Sequence, residues 1–278
     1  MADSEPKPDR YAVIGHPVAH SRSPMIHEVF ARQTGENMSY ELLDVEPKDF
    51  EVATRGFGAA GGKGLNVTVP HKPAAFELAT ELSDAAKRAG AVNTLSYLPG
   101  GAMRGDNTDG VGFMHDLTQN HGQSVAGKTI LILGAGGATR GILDPILEAA
   151  PAAVLIANRT PERAAELVLE YQTDVPLSAC RFDDLRTRDL SDIVINATSA
   201  GVRGESPPFP PDCIGAESFC YDLAYGLKGT PFVAWALEHG AGKAVQGWGM
   251  LVEQAAESFQ IWRGRRPDTR ALLEGITA

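Results

Sequence analysis

The feature that most constrains the fold is the stretch ILILGAGGATRG, residues 130–141, in which a buried strand runs through a glycine-rich turn into a helix. Gly134, Gly136 and Gly137 let backbone N–H groups approach a pyrophosphate at the start of that helix. Thr139 occupies the place of the third glycine of the usual dinucleotide fingerprint. A plain strand-to-helix turn is therefore the alternative to a nucleotide site.

The end of the next strand, ANRTPER, indicates which nucleotide would bind. A protein that binds NAD carries an acidic residue there for the ribose hydroxyl, and none is available at that position. Arg159 is placed to meet a 2′-phosphate instead, with Asn158, Thr160 and Arg163 as further donors. A charge-assisted hydrogen bond contributes roughly 1.5–3 kcal/mol, and about 1.4 kcal/mol is tenfold in affinity. The pattern predicts NADP, with an exposed arginine at a helix N-terminus as the alternative.

Two further apolar runs, SDIVINATSAG and SFCYDLAYG, each end in polar residues and complete a doubly wound unit. Thr198 lies at the carboxyl end of the first run, where the crevice of such folds opens, although an ordinary turn would use the same residues. Pro145 falls inside the first helix and is expected to kink or shorten it.

The N-terminal half shows a second alternation of strands and helices, which is typical of a parallel sheet with crossovers. The predicted strands are YAVIG, MSYELLDV and GKGLNVTVP. In the third strand Asn66 and Thr68 share one face, while Val67 and Val69 share the other. This predicts one hydrogen-bonding face and one apolar face.

Lys72 is the residue that this strand delivers to the start of a helix. Pro70 ends the strand, because proline has no N–H for the ladder, and Pro73 suits the first helical turn. The partial positive charge of a helix N-terminus disfavours an ammonium group, so a lysine held there is a candidate for catalysis. A solvated lysine in a loop is the alternative.

Other polar residues of this half complete a candidate site. Ser21 and Ser23 are two apart in a segment that we predict to be extended before proline, so both hydroxyls can face one ligand. Turn or capping roles are the alternative for them. Asn93 is a further candidate. Asp106 and Asp109 could each cap the following helix, and spacing alone does not choose between them.

Length and composition exclude several classes of protein. The 278 residues suggest two domains at ~150 residues each, and the net charge of −10 argues against a nucleic-acid binder. Cys180, Cys213 and Cys220 have neither metal-ligand nor redox spacing, so we expect no metal and free thiols in a reducing compartment. The apolar runs are too short to cross a bilayer, and MADSEPKPDR has no apolar core of a signal peptide. We expect a cytoplasmic protein.

Taken together, a series of motifs resembles the shikimate/quinate dehydrogenase family, in order along residues 11–262. The motifs are GHPVAHSRSPMIH, GLNVTVPHK, AGAVNTL, GDNTDGVG, GAGGATRG, NRTPERA, INATSAG, YDLAYG, TPF and GWGMLVEQAA. The resemblance implies that Lys72 and Asp109 are the catalytic pair, which decides against Asp106. The substrate-binding positions that it implies are Ser21, Ser23, Asn66, Thr68, Lys72, Asn93, Asp109, Tyr225 and Gln254. The cofactor-binding positions are Gly134, Ala135, Gly136, Gly137, Ala138, Asn158, Arg159, Thr160, Arg163, Thr198, Leu223 and Gly247. Asp84 joins them as a weaker match, with a helix cap as an equal alternative.

The resemblance also implies a fold and a reaction. The fold is α/β with two domains: a substrate-binding and catalytic domain of residues 1–110 plus 247–278, and a Rossmann-type doubly wound NADP domain of residues 111–246. The C-terminal helices return to the first domain. The reaction is the reversible reduction of 3-dehydroshikimate to shikimate by hydride transfer from NADPH, in aromatic amino acid (chorismate) biosynthesis. The implied partner is this small substrate, with neither nucleic acid nor membrane.

Two rival functions follow from the same motifs. One is a quinate/shikimate dehydrogenase with relaxed substrate and cofactor choice. The other is a non-catalytic NADP-binding protein, which the presence of both Lys72 and Asp109 disfavours. A homodimer is compatible with the resemblance, but the sequence does not fix the oligomeric state.

Overall fold

Two β-sheets, one in each of two compact units, organise the part of the chain that the structure describes. In the computed structural model this part comprises residues 7–187, 189–198 and 208–275. The first unit extends to Gly112 and resumes at Val252, and the second is the intervening chain.

The sheet of the first unit is mixed. Its strands are β1 (Asp9–Gly15), β2 (Met38–Asp44), β3 (Gly62–Val67), β4 (Glu81–Leu82), β5 (Thr94–Tyr97) and β6 (Met103–Asp106), in the order β2-β1-β3-β5-β6-β4. β1 pairs in parallel with β2 and β3, as the strand and helix alternation predicts. β5 is antiparallel to both β3 and β6. The sequence pattern did not indicate this hairpin, because its strands are only four residues long.

Four helices pack with this sheet, and their apolar faces supply its core. They are α1 (Ser23–Thr34), α2 (Phe50–Ala59), α3 (Lys72–Leu78) and α4 (Asp84–Ala89), with short 3₁₀ turns at Pro47–Asp49 and Pro99–Gly101. Ile14, Leu65 and Leu95 project from three adjacent strands into one buried cluster, which Phe50 and Phe57 of α2 help to close. This core fixes the strand ends on which the polar residues stand.

The end of β3 differs from its predicted pattern. β3 stops at Val67, which is 2% exposed, whereas Val69 is 69% exposed. The prediction that the two valines share an apolar face is therefore wrong, because the chain has already left the sheet at Val69 ahead of Pro70. Lys72 is the first residue of α3, as predicted, and Pro73 lies in its first turn.

The sheet of the second unit is entirely parallel. Its strands are β7 (Thr129–Leu133), β8 (Ala153–Asn158), β9 (Leu177–Arg181), β10 (Ile193–Asn196), β11 (Phe219–Asp222) and β12 (Lys243–Gln246). Their spatial order is β9-β8-β7-β10-β11-β12, which in sequence order of the strands is 3-2-1-4-5-6. This is the doubly wound order that opens a crevice between the first and fourth strands, at β7 and β10. The predicted α/β class is confirmed.

The helices of the second unit complete both faces of that sheet. They are α6 (Gly137–Glu148), α7 (Pro161–Leu169) and α8 (Pro231–Glu238). The chain passes between the units within α5 (Asp109–His115) and again within α9 (Trp248–Arg263), and α10 (Arg270–Glu274) belongs to the first unit. A π-helical turn spans Asp116–Asn120, and 3₁₀ turns span Asp183–Thr187 and Pro211–Cys213.

Pro145 does not end α6, which continues to Glu148. The shortening that we considered therefore does not occur. The residue four positions before Pro145 is Gly141, which has no side chain to add to the crowding that a proline ring causes there. Within the described ranges, no helix combines the length and the hydropathy that crossing a membrane requires.

Candidate active site

Lys72 and Asp109 form an ion pair in the first unit. Lys72 Nζ lies 2.5 Å from Asp109 Oδ2, and the two side chains are 27% and 14% exposed. Each residue begins a helix: Lys72 is the first residue of α3, and Asp109 is the first residue of α5. A helix N-terminus attracts a carboxylate and repels an ammonium group, so Asp109 supplies the counter-charge that holds Lys72 in place. The partial exposure leaves the pair accessible to a small ligand.

Asp106, the alternative that spacing left open, is engaged elsewhere. It ends β6 and pairs with Arg104, with 3.2 Å between Arg104 Nε and Asp106 Oδ2. The structure thus gives the ion pair with Lys72 to Asp109.

Asn93 holds the Asp109 carboxylate from a second direction. The backbone N–H of Thr108 donates to Asn93 Oδ1 at 2.9 Å, and since an N–H can only donate, this contact identifies the oxygen end of the amide. Asn93 Nδ2 donates to Asp109 Oδ1 at 2.9 Å and to the Thr108 hydroxyl at 2.9 Å. Asn93 is only 3% exposed. Its hydrogen bonds within the protein make it a residue that orients Asp109.

Asn66 belongs to the same network from the neighbouring strand. β3 and β5 pair so that Asn66 lies opposite Thr94. Asn66 Nδ2 donates to Thr94 Oγ1 at 3.2 Å and to Ser258 Oγ at 2.9 Å. Thr94 Oγ1 donates in turn to Asn93 Oδ1 at 2.9 Å. Two predicted substrate residues, Asn66 and Asn93, are thus joined through hydroxyl groups.

Ser21 and Ser23 also meet, although not by the predicted local structure. Ser21 Oγ donates to Ser23 Oγ at 3.2 Å. The prediction of an extended segment is wrong, because Arg22 has helical backbone angles and Ser23 already begins α1. Pro24 in the first turn favours this early start, since that position needs no N–H.

Thr68 and Gln254 are the remaining predicted substrate residues of the first unit. An added Cβ at Gly15 would lie 2.4 Å from Thr68 Cγ2, so the glycine makes room for the threonine methyl group. The Thr68 hydroxyl has no hydrogen-bond partner among the described residues and is available to a ligand. Gln254 Oε1 lies 3.5 Å from both Asn93 Nδ2 and Thr108 Oγ1.

Sequence reasoning missed three buried hydroxyl residues of this network, namely Thr94, Thr108 and Ser258. Ser258 Oγ lies 2.8 Å from Thr94 Oγ1 and 3.3 Å from Thr108 Oγ1. Two of them adjoin a predicted residue in their motifs, Asn93-Thr94 and Thr108-Asp109. Ser258 follows Gln254 by one helical turn, and this i, i+4 spacing was the available signal.

The glycine loop of the second unit has the geometry of an anion site. Gly134 has a φ of +109°, and an added Cβ would lie 3.0 Å from the carbonyl oxygen of Ala197, so glycine is required there. Gly136 and Gly137 face open space, and Gly136 is the N-cap of α6 without a side-chain cap. Thr139, the departure from the fingerprint, is buried and donates from Oγ1 to the Gly134 carbonyl at 2.8 Å. The helix N-terminus is left uncapped for a phosphate, with Ala135 and Ala138 on either side of the glycine pair.

Arg159 and Arg163 are exposed beside this loop, past the end of β8. Neither guanidinium forms an ion pair with a carboxylate of the described residues, whereas Arg140 forms a bidentate pair with Glu170. Asn158 Nδ2 donates to the Thr160 carbonyl at 2.7 Å, which closes the turn before α7. Two uncommitted cations beside an open helix N-terminus suit a 2′-phosphate.

The loops after β10 and β11 are tied together by one buried pair. Asn196 Nδ2 donates to Asp222 Oδ1 at 3.0 Å, and burial raises the pKa of this carboxyl above its ordinary value. Thr198 donates from Oγ1 to Asn196 Oδ1 at 2.7 Å. Residues 199–201, the end of the predicted cofactor loop, lie outside the described residues.

Leu223, Tyr225 and Gly247 follow β11 and β12. An added Cβ at Gly247 would lie 2.5 Å from the Leu223 carbonyl oxygen, so position 247 has room only for glycine. Gly247 and Leu223, both predicted to contact the cofactor, are therefore adjacent. Tyr225 packs edge-on against Trp248, with 6.1 Å between ring centroids.

Asp84 stands apart from the nucleotide loops in sequence and belongs to the first unit. It is the first residue of α4, where its carboxylate lies 3.4 Å from Lys87 Nζ. The cap that we considered for it is made by Ser83, whose Oγ accepts from the Ala86 N–H at 3.2 Å.

The cysteines are free and buried. Burial raises the pKa of Cys213 to about 11 and that of Cys220 to about 12, so these thiols stay protonated at neutral pH. Across the described ranges, no cluster of three or more His, Cys, Asp or Glu side chains could hold a metal ion.

Comparison with protein families gives matches in both units. Residues 13–95 match the shikimate dehydrogenase substrate binding domain, residues 116–202 match shikimate/quinate 5-dehydrogenase, and residues 247–274 match the shikimate 5′-dehydrogenase C-terminal domain. The shikimate dehydrogenase (NADP(+)) of Alkalilimnicola ehrlichii is 52% identical over 268 residues, which cover 96% of this chain and 98% of the relative. This chain belongs to the shikimate dehydrogenase family.

Solved structures place the whole described fold within the shikimate dehydrogenase family. The shikimate 5-dehydrogenase of Thermus thermophilus, solved in complex with NADP(H) and shikimate, has a TM-score of 0.84 at 32% identity and covers 97% of this chain and 98% of its own. An Ael1 enzyme from Pseudomonas putida has a TM-score of 0.88 at 44% identity, with 97% and 98% coverage. The family that the sequence motifs indicated is therefore confirmed.

Proposed function

We propose that this chain interconverts 3-dehydroshikimate and shikimate with Lys72 and Asp109 as its catalytic pair. The observation that carries the assignment is the 2.5 Å contact between Lys72 Nζ and Asp109 Oδ2, partly exposed and braced by Asn93. Membership of the shikimate dehydrogenase family makes the chain an NADP-dependent oxidoreductase of aromatic biosynthesis.

Lys72 moves the proton. NADPH, when bound, supplies the hydride that reduces the ketone carbon. The Lys72 ammonium donates a proton to the ketone oxygen, and in the reverse direction the neutral amine accepts it from the shikimate hydroxyl. Asp109 accepts a hydrogen bond from a substrate hydroxyl and keeps Lys72 oriented. Proton transfer requires contact distance, which the substrate gains by being held beside this pair.

The other polar residues of the first unit would bind the substrate. Ser21 and Ser23 offer neutral donors for its carboxylate, and Thr68 offers an uncommitted hydroxyl. Asn66 and Gln254 would contact ring hydroxyls, while Asn93 acts through Asp109. Tyr225 is proposed as a substrate residue from its match to the family motif.

The second unit would hold the cofactor. The open N-terminus of α6 beyond Gly136 and Gly137 fits a pyrophosphate, and Arg159 with Arg163 fits a 2′-phosphate. Thr198, Leu223 and Gly247 would contribute lesser contacts, and Asp84 is kept as a proposed one.

We assign the substrate-binding role to residues 1–110 with 247–278 and the NADP-binding role to residues 111–246. The chain is further proposed to act in the cytoplasm, as a homodimer. Light scattering of the purified protein measures the oligomeric state, and a monomer mass at micromolar concentration would contradict the dimer.

The deciding experiment follows absorbance at 340 nm with shikimate and NADP, then with quinate and with NAD. We expect reduction of NADP by shikimate and a much lower specificity constant with quinate or NAD. Comparable constants would favour the relaxed quinate/shikimate enzyme. No signal with any pair would favour an NADP-binding protein without catalysis.

A further inference from the structure

We propose that Tyr40 is a positioning residue that sets which atom Asn66 presents to the substrate. The inference rests on the proposed function, since it concerns how the same shikimate site is prepared. Tyr40 lies on β2, at the edge of the first sheet, and the family motifs quoted above do not include it.

The orientation of the Asn66 amide follows from its neighbours. The backbone carbonyl oxygen of Asn93 lies 3.3 Å from one end of the Asn66 side-chain amide. Because a carbonyl oxygen can only accept, that end of the Asn66 amide is Nδ2. Asn66 Oδ1 therefore faces Tyr40, whose hydroxyl donates to it at 2.7 Å. The two N–H groups of Asn66 are shared among Asn93, Thr94 and Ser258.

This arrangement limits what Asn66 can offer a ligand. Its donors are engaged within the protein, and one lone pair of Oδ1 is taken by Tyr40. Only an acceptor position on Oδ1 is left. Asn66 can therefore bind a group that donates, such as a ring hydroxyl, and disfavours a carboxylate at that place. Tyr40 thus helps to decide which end of the substrate lies near Asn66.

Burial also keeps the Tyr40 hydroxyl protonated, because it raises the pKa of Tyr40 well above its ordinary value. The hydroxyl therefore remains a donor to Asn66 Oδ1 at neutral pH.

The ring of Tyr40 is held so that its hydroxyl cannot move easily. His27 of α1 stacks on it, with 4.2 Å between ring centroids and 6° between planes. His27 is fully buried, and burial lowers its pKa to about 3, so the stacking partner is a neutral ring at assay pH. Trp262 packs against the same pair of rings, with its centroid 5.6 Å from that of His27. A hydroxyl carried on a packed ring is a fixed hydrogen-bonding group.

The test is Tyr40→Phe, which removes the hydroxyl and keeps the ring. Tyr97→Phe is the matched control, because Tyr97 is also partly buried in the first unit and donates to the Thr54 carbonyl at 2.5 Å, away from the polar network. We expect Tyr40→Phe to raise KM for shikimate about tenfold, with kcat within about threefold and KM for NADP unchanged. Tyr97→Phe should leave all three at wild-type values. Equal shikimate KM values for wild type and Tyr40→Phe, or equal increases in both variants, would overturn the inference.

A double-mutant cycle distinguishes positioning from loss of packing. Shikimate binding is measured by calorimetry in wild type, Tyr40→Phe, Asn66→Ala and the double variant. We expect Tyr40→Phe to weaken binding about tenfold in wild type and less than about twofold in the Asn66→Ala background, since little is left to position. Independent, multiplying effects would contradict the inference. A wild-type chain that does not oxidise shikimate with NADP would refute the proposed function, and the inference with it, whereas an active wild type with an unaltered Tyr40→Phe refutes the inference alone.

Discussion

The polar network of the first unit and the nucleotide loops of the second unit use their predicted residues in opposite ways. Asn66, Asn93 and Asp109 are hydrogen-bonded to one another or through shared hydroxyl groups. Arg159 and the glycine pair at 136 and 137 are exposed or face open space. Proton transfer needs catalytic groups that are already oriented before the substrate binds. A phosphate, in contrast, is bound by N–H groups and cations that have no partner in the protein and are free to donate to it. Substitutions in the network should therefore disturb neighbours, and those in the loops should disturb only the ligand.

The largest effect is expected from Lys72→Ala. It removes the proposed proton donor, and general acid–base catalysis contributes 10²–10⁴-fold, so kcat should fall by about three orders of magnitude. KM for NADP should change less than about twofold, because the lysine belongs to the substrate side. Steady-state kinetics at 340 nm measure both.

Lys48→Ala is the control for loss of a lysine. Lys48 is exposed, and its Nζ lies 2.8 Å from Glu46 Oε2 on the surface. An exposed ion pair of this kind contributes little to stability. Wild-type kcat is expected. Unchanged turnover in Lys72→Ala would remove the catalytic assignment and with it the difference between the two regions.

A second large effect is expected from Asn93→Ala, which tests whether the network is cooperative. The variant removes one buried hydrogen-bond partner from each of Asp109, Thr94 and Thr108, so stability should fall by about 2–4 kcal/mol and kcat by about 10²-fold as Asp109 loses its orientation. Denaturant unfolding and steady-state kinetics measure the two quantities.

Asn120→Ala is matched to it in the second unit. Asn120 donates to the buried Asp116 carboxylate at 2.8 Å, and neither residue takes part in the hydrogen bonds of Lys72, Asp109 or Asn93. We expect a loss of stability with kcat unchanged. If both variants lowered kcat equally, the special role of Asn93 would be disproved.

The sequence could predict candidate catalytic residues but not the hydrogen bonds that hold them. Motif order predicts Lys72 and Asp109 as the catalytic pair, and strand and helix alternation predicted the parallel strands. Ser258 contacts Asn66, 192 positions away, and such a contact depends on the tertiary fold. The early end of β3 placed Val69 in solvent, since alternation cannot show where a strand stops. Thr139 acts locally on Gly134, but a fingerprint that expects glycine gives no reason to anticipate a hydroxyl.

A smaller effect, confined to the cofactor, is expected from Arg159→Ala. Loss of one charge-assisted contact to the 2′-phosphate should raise KM for NADP about 10- to 100-fold and leave KM for NAD unchanged. Stability should remain within about 0.5 kcal/mol of wild type, because this guanidinium has no carboxylate partner among the described residues.

Arg186→Ala removes a comparable exposed arginine, whose Nη1 lies 3.6 Å from Asp212 Oδ2. It should leave both cofactor constants unchanged. A preference for NADP that survives Arg159→Ala would mean that Arg163 or another donor selects the phosphate.

The smallest effect is expected from a change of pH, and it concerns the buried ring of His27, which stacks on Tyr40. Burial lowers the pKa of His27 from its ordinary value of 6.5 to about 3, so between these values the unfolded chain binds a proton that the folded chain does not. Stability from this residue is therefore fully present above pH 6.5 and falls by as much as ~1.4 kcal/mol for each pH unit below it. Urea unfolding at pH 7, 6 and 5 should show this loss in wild type.

His27→Phe keeps an aromatic ring against Tyr40 and cannot take up a proton, so its stability should decline less steeply between pH 6.5 and 5. His239→Phe is the control in the second unit, where the ring is exposed and bonds through Nδ1 to the Trp235 carbonyl at 2.8 Å. It should retain the wild-type slope. If stability declined equally steeply with falling pH in wild type and His27→Phe, the loss would come from groups other than His27. The buried side of the polar network in the first unit would then be no more sensitive to pH than the exposed nucleotide loops of the second.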